Sequence, residues 1–287
     1  MRKYFLISFI AFAVIINAQN RKTRLELFPA GLHLLPLKAS FEEPHFGTML
    51  YLNNLNLKVD IGNSIDIIKF NRNNNDIITI GIDFMAYALA NSYAGHRLQI
   101  DAVDGFFGGN LSYSSGKMQN KSLFRFRYVH NSSHLVDGHY DLELNKWVNN
   151  KKPIPFTRNY FEILVGKETL IYSAYLKYYA QFNYSILVRP SQLRRIAAGI
   201  GFELGLPGIT PKLFNQSTFP FLAFHTSLKG IPQYNFNSNI MLGIKIGKWY
   251  GKGVNFYFSY YSGKNFFNEY FKNSIHLFSF GFLIDYL

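Results

Sequence analysis

The stretch Tyr128-Val129-His130-Asn131-Ser132-Ser133-His134-Leu135-Val136-Asp137 is the only cluster of catalytic residue types in the chain. His130 and Ser132 are two residues apart, so on a β-strand they share a face. Asn159 falls on the corresponding face of the next strand across a hairpin. A hydroxyl nucleophile, an imidazole to remove its proton and an amide to orient the imidazole form a triad for acyl hydrolysis. A polar patch at a strand end would use the same residues without catalysis. Ser133, His134 and Asp137 make a second polar cluster, whose spacing matches no metal site. Arg125, Arg127, Arg158 and Glu162 read as an internal ion-pair cluster. Gly105-Phe106-Phe107-Gly108-Gly109 lacks the Lys-Ser/Thr of a phosphate loop and reads as a turn. No Gly-x-Ser-x-Gly elbow occurs. Neither a metal nor a cofactor is expected.

The elements that must carry these residues are strands. Residues 276–286 place Phe278, Phe280, Phe282, Ile284 and Tyr286 on one face and Ser279, Gly281 and Asp285 on the other. The same period of two recurs in Ile78–Phe84, Leu98–Ala102, Phe124–Tyr128, Arg158–Val165, Tyr172–Asn183, Arg195–Leu204, Ile240–Gly247 and Val254–Tyr260. Further strands are read near 50–70, 106–113 and 222–224, giving about twelve. The small or polar face carries Asp83, Arg97, Asp101, Arg125, Arg127, Glu162, Lys177, Arg195, Glu203 and Lys245. Such charges would be costly in a packed soluble core. In a barrel with a polar interior they pair across the lumen, and the aromatic face meets lipid. The expected fold is therefore all-β, a transmembrane antiparallel β-barrel of about twelve strands over residues 48–287. Residues 19–47 precede it as a segment that packs inside the barrel or at its periplasmic mouth. This parity turns His130, Ser132 and Asn159 outward, towards lipid.

Compartment follows from the first residues. Arg2 and Lys3 lead an apolar run from Tyr4 to Ile16, and Asn17-Ala18-Gln19 offers cleavage after Ala18. That is the pattern of a secretory signal over residues 1–18. The run is short for a membrane-spanning helix. The absence of cysteine excludes a disulfide framework, a thiolate metal site and a lipoprotein anchor. Aromatic residues reach 18% beside an ordinary 48% apolar content, as interface girdles would require. A formal charge of +13 favours anionic lipids and lipopolysaccharide phosphates as partners; export argues against nucleic acid. The expected location is the bacterial outer membrane.

The placement of His130, Ser132 and Asn159 resembles the outer-membrane phospholipase A family. There a His-x-Ser on one barrel strand and an Asn on the next form an outward-facing triad. The resemblance implies a serine-dependent lipid acyl hydrolase. Two departures are the longer loop from Ser132 to Asn159, and His134 where a glycine usually follows the serine by two. A broader resemblance is to an uncharacterised bacterial envelope family known only as a domain of unknown function. It rests on Phe28-Pro29, Pro36-Leu37, Glu43-Pro44, Asp101–Asp104, Arg125–Asp137, Arg158, Glu162, Tyr260–Gly263 and Phe266-Phe267. Val136 and Gly138 stand where that pattern has glycine and an acidic residue. The family implies an outer-membrane barrel without an established activity.

Three functions compete on these grounds. They are a non-enzymatic envelope barrel, a lipid acyl hydrolase and a small pore or transporter. Twelve strands leave little open bore once side chains and a preceding segment fill it.

Overall fold

The computed structural model describes residues 24–73, 75–93, 97–117 and 120–286. The export signal expected over residues 1–18 lies outside the described residues, as do the side chains of Arg97 and Asp137. Among the described residues fifteen strands form in chain order. They are β1 (Arg24–Leu27), β2 (Phe46–Tyr51), β3 (Leu57–Asn73), β4 (Asp76–Tyr93), β5 (Arg97–Lys117) and β6 (Asn120–Leu135). A two-strand hairpin, β7 (Tyr140–Asp141) and β8 (Lys146–Trp147), sits in the loop that follows. Then come β9 (Thr157–Ile171), β10 (Ala174–Arg189), β11 (Ile196–Gly205), β12 (Thr218–Gly230), β13 (Tyr234–Gly247), β14 (Gly253–Lys264) and β15 (Ser274–Asp285).

Apart from β1, β7 and β8, these strands pair antiparallel in one ring. Closure comes from β15, whose Ser279–Leu283 pair with 47–51 of β2, while β2 pairs with the first part of β3. The short β1 pairs with the far end of β3 through Leu25↔Phe70 and Leu27↔Ile68. The result is a closed twelve-strand barrel, which leaves no open edge in the ring.

Alternation decides what faces where. Ile82, Phe84, Phe107, Ile200, Leu242, Phe258 and Phe278 are exposed on the outer wall. Lys58, Asp60, Arg125, Arg127, Glu162, Lys177, Glu203 and Lys245 are buried inside. In water, that outer wall would be an apolar patch far larger than a soluble monomer tolerates. Against hydrocarbon it is the required surface, with the strands paired neighbour to neighbour around the ring. The protein is a transmembrane barrel of the outer-membrane type. The long connection 136–156 and the connections 190–195 and 265–273 gather at one end, here the loop end. The tight turn at Tyr172-Ser173 and the connection 248–252 lie at the other, the turn end.

Between β1 and β2 the chain enters the lumen. Leu37 packs against Leu164 and Tyr179. The Lys38 amide donates to Glu203 Oε1 at 2.8 Å, and Asn239 Nδ2 donates to the Ala39 carbonyl at 2.9 Å. Phe41 stacks on Phe266 with ring centroids 4.2 Å apart.

Several strand assignments need correction, though twelve stands. Residues 50–70 hold two strands, β2 and β3, joined through 52–56. Residues 98–102 and 106–113 are one strand, β5, and Gly105–Gly109 lies inside it rather than forming a turn. The two errors offset one another. Between β4 and β5, Leu89 pairs with Ala102 and Ala90 with Ile100, so Asp101 of β5 is the extra residue of a bulge. Parity flips there: Ala102 is fully buried, not outward with Leu98 and Ile100. Tyr172 occupies the turn rather than a strand. Arg195 is exposed at the loop-end rim just before β11, where it donates to the Ser185 carbonyl at 3.0 Å.

Candidate functional site

Strands β6 and β9 lie side by side, and their register sets the outward residues. His130 is directly opposite Asn159, and Ser132 opposite Thr157. On its other side β6 meets β5, with His130 opposite Phe107 and Ser132 opposite Gly105. His130, Ser132 and Asn159 are half-buried on the outer wall, continuing the exposed Phe126 and Tyr128 towards the loop end.

His130 Nδ1 lies 2.6 Å from Asn159 Oδ1. A carboxamide oxygen only accepts, so Nδ1 is the donor, and in the neutral ring Nε2 then holds the lone pair. The Phe107 ring covers one side of the imidazole, with centroids 4.7 Å apart. Among the described residues no hydrogen bond joins Ser132 Oγ to His130; the two residues are one pleat repeat apart, about 7 Å between Cα atoms. Gly105 leaves space next to the hydroxyl: a Cβ there would lie 3.9 Å from Ser132 Oγ. An imidazole held by an amide, with a hydroxyl one pleat repeat away on the same face, supplies the residue types needed to activate that hydroxyl at a lipid-facing surface.

The second polar cluster is split by the pleat. Ser133 points inward and is buried, whereas His134 points outward and is exposed. Ser133 Oγ accepts the Glu269 amide at 3.1 Å, and Glu269 Oε2 accepts the Ile154 amide at 2.9 Å. Lys151 Nζ stands 3.8 Å over the Tyr270 ring, and His139 Nε2 donates to Asp101 Oδ1 at 2.8 Å. These contacts tie 136–156 to 265–273 and to β5. Burial raises the pKa of Glu269 and lowers that of Lys151. Among the described residues no group of three metal-ligating side chains gathers.

Arg125, Arg127, Arg158 and Glu162 all face the lumen. Glu162 accepts from Arg125 Nη2 at 2.9 Å and from Arg127 Nε and Nη2 at 2.8 and 2.6 Å. Sequence reasoning missed the other half of the cluster. Glu43, from the inserted segment, accepts from Arg125 Nη1 at 2.9 Å, and Glu42 pairs with Arg158 and with Lys229. Glu43-Pro44 was visible only as part of a motif, because the inserted segment has no period to assign its side chains a face.

No protein-family model matches the chain, and no curated protein matches it. Among solved structures, the β domain of the Bordetella autotransporter Brka is similar, with a TM-score of 0.41 and 10% identity over 84% of this chain and 96% of that one. The barrel itself stands on the strand pairing and the lipid-facing band.

Proposed function

We propose that this chain is an exported outer-membrane barrel whose outer wall carries a serine-dependent lipid acyl hydrolase, with residues 1–18 as its export signal. The observation behind this reading is the 2.6 Å contact between His130 Nδ1 and Asn159 Oδ1 on the lipid side, with Ser132 on the same face. In the reaction, Ser132 Oγ attacks an ester carbonyl while His130 Nε2 takes its proton. The protonated imidazole then delivers that proton to the leaving alkoxide, and water releases the fatty acid from Ser132 by the reverse relay. Asn159 fixes the tautomer. Membrane phospholipids are the natural substrate class, because the site opens on the lipid side, and lipopolysaccharide is the other surface partner. The resemblances to outer-membrane phospholipase A and to the envelope family of unknown function belong to this reading.

The test is fatty-acid release from phospholipid micelles by the purified full-length barrel. Release is expected from the wild type and should fall to background in Ser132→Ala. Equal release by the variant overturns the triad. No release from either leaves a non-enzymatic envelope barrel. A pore is disfavoured by the inserted segment, whose Leu37, Ala39 and Glu43 are buried within the lumen.

A further inference from the structure

Towards the loop end the lumen is not filled. A cavity of about 60 Å³ lies above the inserted segment, bounded by residues of β9 to β14. Its floor is Ala39–Phe41. Its lining is electrically one-sided: Arg158, Arg194, Arg195, Lys229 and Lys264 against the single carboxylate of Glu42.

Hydrogen bonding within the lining neutralises this excess only in part. Glu42 is shared between Arg158 and Lys229, the latter at 2.9 Å. The other three cations donate to backbone carbonyls: Arg194 Nε to Pro232 at 3.2 Å, Arg195 Nη1 to Ser185 at 3.0 Å and Lys264 Nζ to Lys272 at 3.0 Å. A carbonyl satisfies a donor but leaves its charge uncancelled. Clefts lined by one sign of charge between low-dielectric walls focus the field and concentrate ions of opposite sign. Arg194 and Arg195 are exposed, so the cavity reaches the surface at the loop end, and the inserted segment closes it below. The volume is that of several waters, at roughly 10–15 Å³ each by the same kind of measure. That suits a phosphate or carboxylate group rather than a bulky solute.

We propose that this blind cavity is an anion-binding site, open at the loop end, for a phosphate or carboxylate group. The group is carried either by a free solute or by a phosphorylated sugar of the surrounding lipopolysaccharide. The site is separate from the outer-wall triad: its floor is the inserted segment, and its lining shares no residue with His130, Ser132 or Asn159.

Isothermal titration of the full-length detergent-solubilised barrel with inorganic phosphate tests this, with glucose as the neutral control. Phosphate should give saturable heat at low salt that weakens as ionic strength rises; glucose should give none. Arg194→Gln, an exposed change compatible with folding, should weaken phosphate at least several-fold. Lys229→Gln should do the same, and Glu42→Gln should tighten binding by removing the internal competitor. Purified lipopolysaccharide that displaces phosphate in the wild type assigns the lipid source; phosphate binding indifferent to lipopolysaccharide assigns the free solute. No saturable heat with phosphate, or equal affinity in the wild type and Arg194→Gln, overturns the proposal.

Discussion

At the scale of residues, two carboxylates decide how the lumen can hold so many cations. Glu162 and Glu43 lie together under Arg125 and Arg127, and Glu162 also accepts Gln181 Nε2 at 3.1 Å. A buried pair of this kind adds little over a well-packed apolar pair, but removing one partner strands the other at a cost of about 3–5 kcal/mol. Glu162→Gln is therefore expected to lower the urea unfolding midpoint sharply, whereas the double replacement Arg127→Met with Glu162→Leu should recover part of the loss. Equal midpoints for Glu162→Gln and the wild type would contradict the network. The outward residues follow a different logic. On the hydrolase reading, Asn159→Ala should leave the unfolding midpoint within about 1 kcal/mol of wild type, since it removes one half-buried hydrogen bond. Fatty-acid release should nevertheless fall by at least tenfold, because the imidazole loses its fixed tautomer. A parallel loss of stability and activity would mark Asn159 as structural only.

At the scale of elements, the aromatic wall is built from cross-strand pairs. Phe258 faces Phe280 across β14 and β15 with ring centroids 5.1 Å apart, and Phe258 is 60% exposed. Phe258→Arg puts a charge into that lipid-facing band and should cost about 2–4 kcal/mol if the residue sits at the bilayer midplane. Folding yield into lipid vesicles reads this directly, and an unchanged yield would mean the band is not lipid-facing. This wall was legible from the sequence because each strand carries its own phase: Phe278 to Tyr286 needs no partner to show which side is apolar. Asp101 shows where such reading stops. A bulge inserts one residue without changing composition, so Leu98, Ile100 and Ala102 look like one face although Ala102 has crossed to the other. Gly105–Gly109 misleads for a related reason, since glycine is a turn residue unless a neighbouring strand presses close. At Gly108 an added Cβ would meet the Tyr128 carbonyl oxygen at 2.0 Å, and that demand comes from the partner strand alone. Parity alone set His130 and Asn159 on one outer face, while Phe107 beside them was hidden because Gly105–Gly109 reads as a turn. The loop connections show another long-range effect. Burial holds the Glu269 carboxyl above the usual carboxylate range. The folded state then binds that proton more tightly than the unfolded state, so this contribution to stability is fullest at low pH and fades as pH rises through the raised value. Hydrogen exchange in residues 151–156, corrected for the intrinsic rate, should quicken across that window. Glu269→Gln should flatten the change, and an identical pH profile in both proteins would rule the carboxyl out.

At the scale of the whole molecule, the inserted segment makes one body of a lipid-facing wall and a charged lumen. Lys177 meets Glu203 at 3.6 Å and Glu168 at 3.4 Å, and Lys245 meets Asp285 at 2.6 Å, so much of the wall balances itself. Around Arg125, Arg127, Arg158 and Lys229 the balance is different, because Glu42 and Glu43 come from the segment rather than from the barrel. That dependence separates a sealed barrel from a pore in one measurement. The full-length protein is expected to give no conductance steps in a planar bilayer, since Leu37 and Ala39 fill the lumen from the turn end. A variant lacking residues 24–43 removes the steric block and three carboxylates, two of which, Glu42 and Glu43, pair with lumenal cations. If its heat-shifted gel mobility shows that the barrel still closes, steps should appear, and the unpaired cations should make the current anion-selective. Conductance in the intact chain would show that the segment does not seal the lumen. A silent but folded deletion would show that wall side chains close the bore unaided. Cation-selective steps would mean that the surviving acids, rather than Arg125, Arg127, Arg158 and Lys229, control the narrowest part.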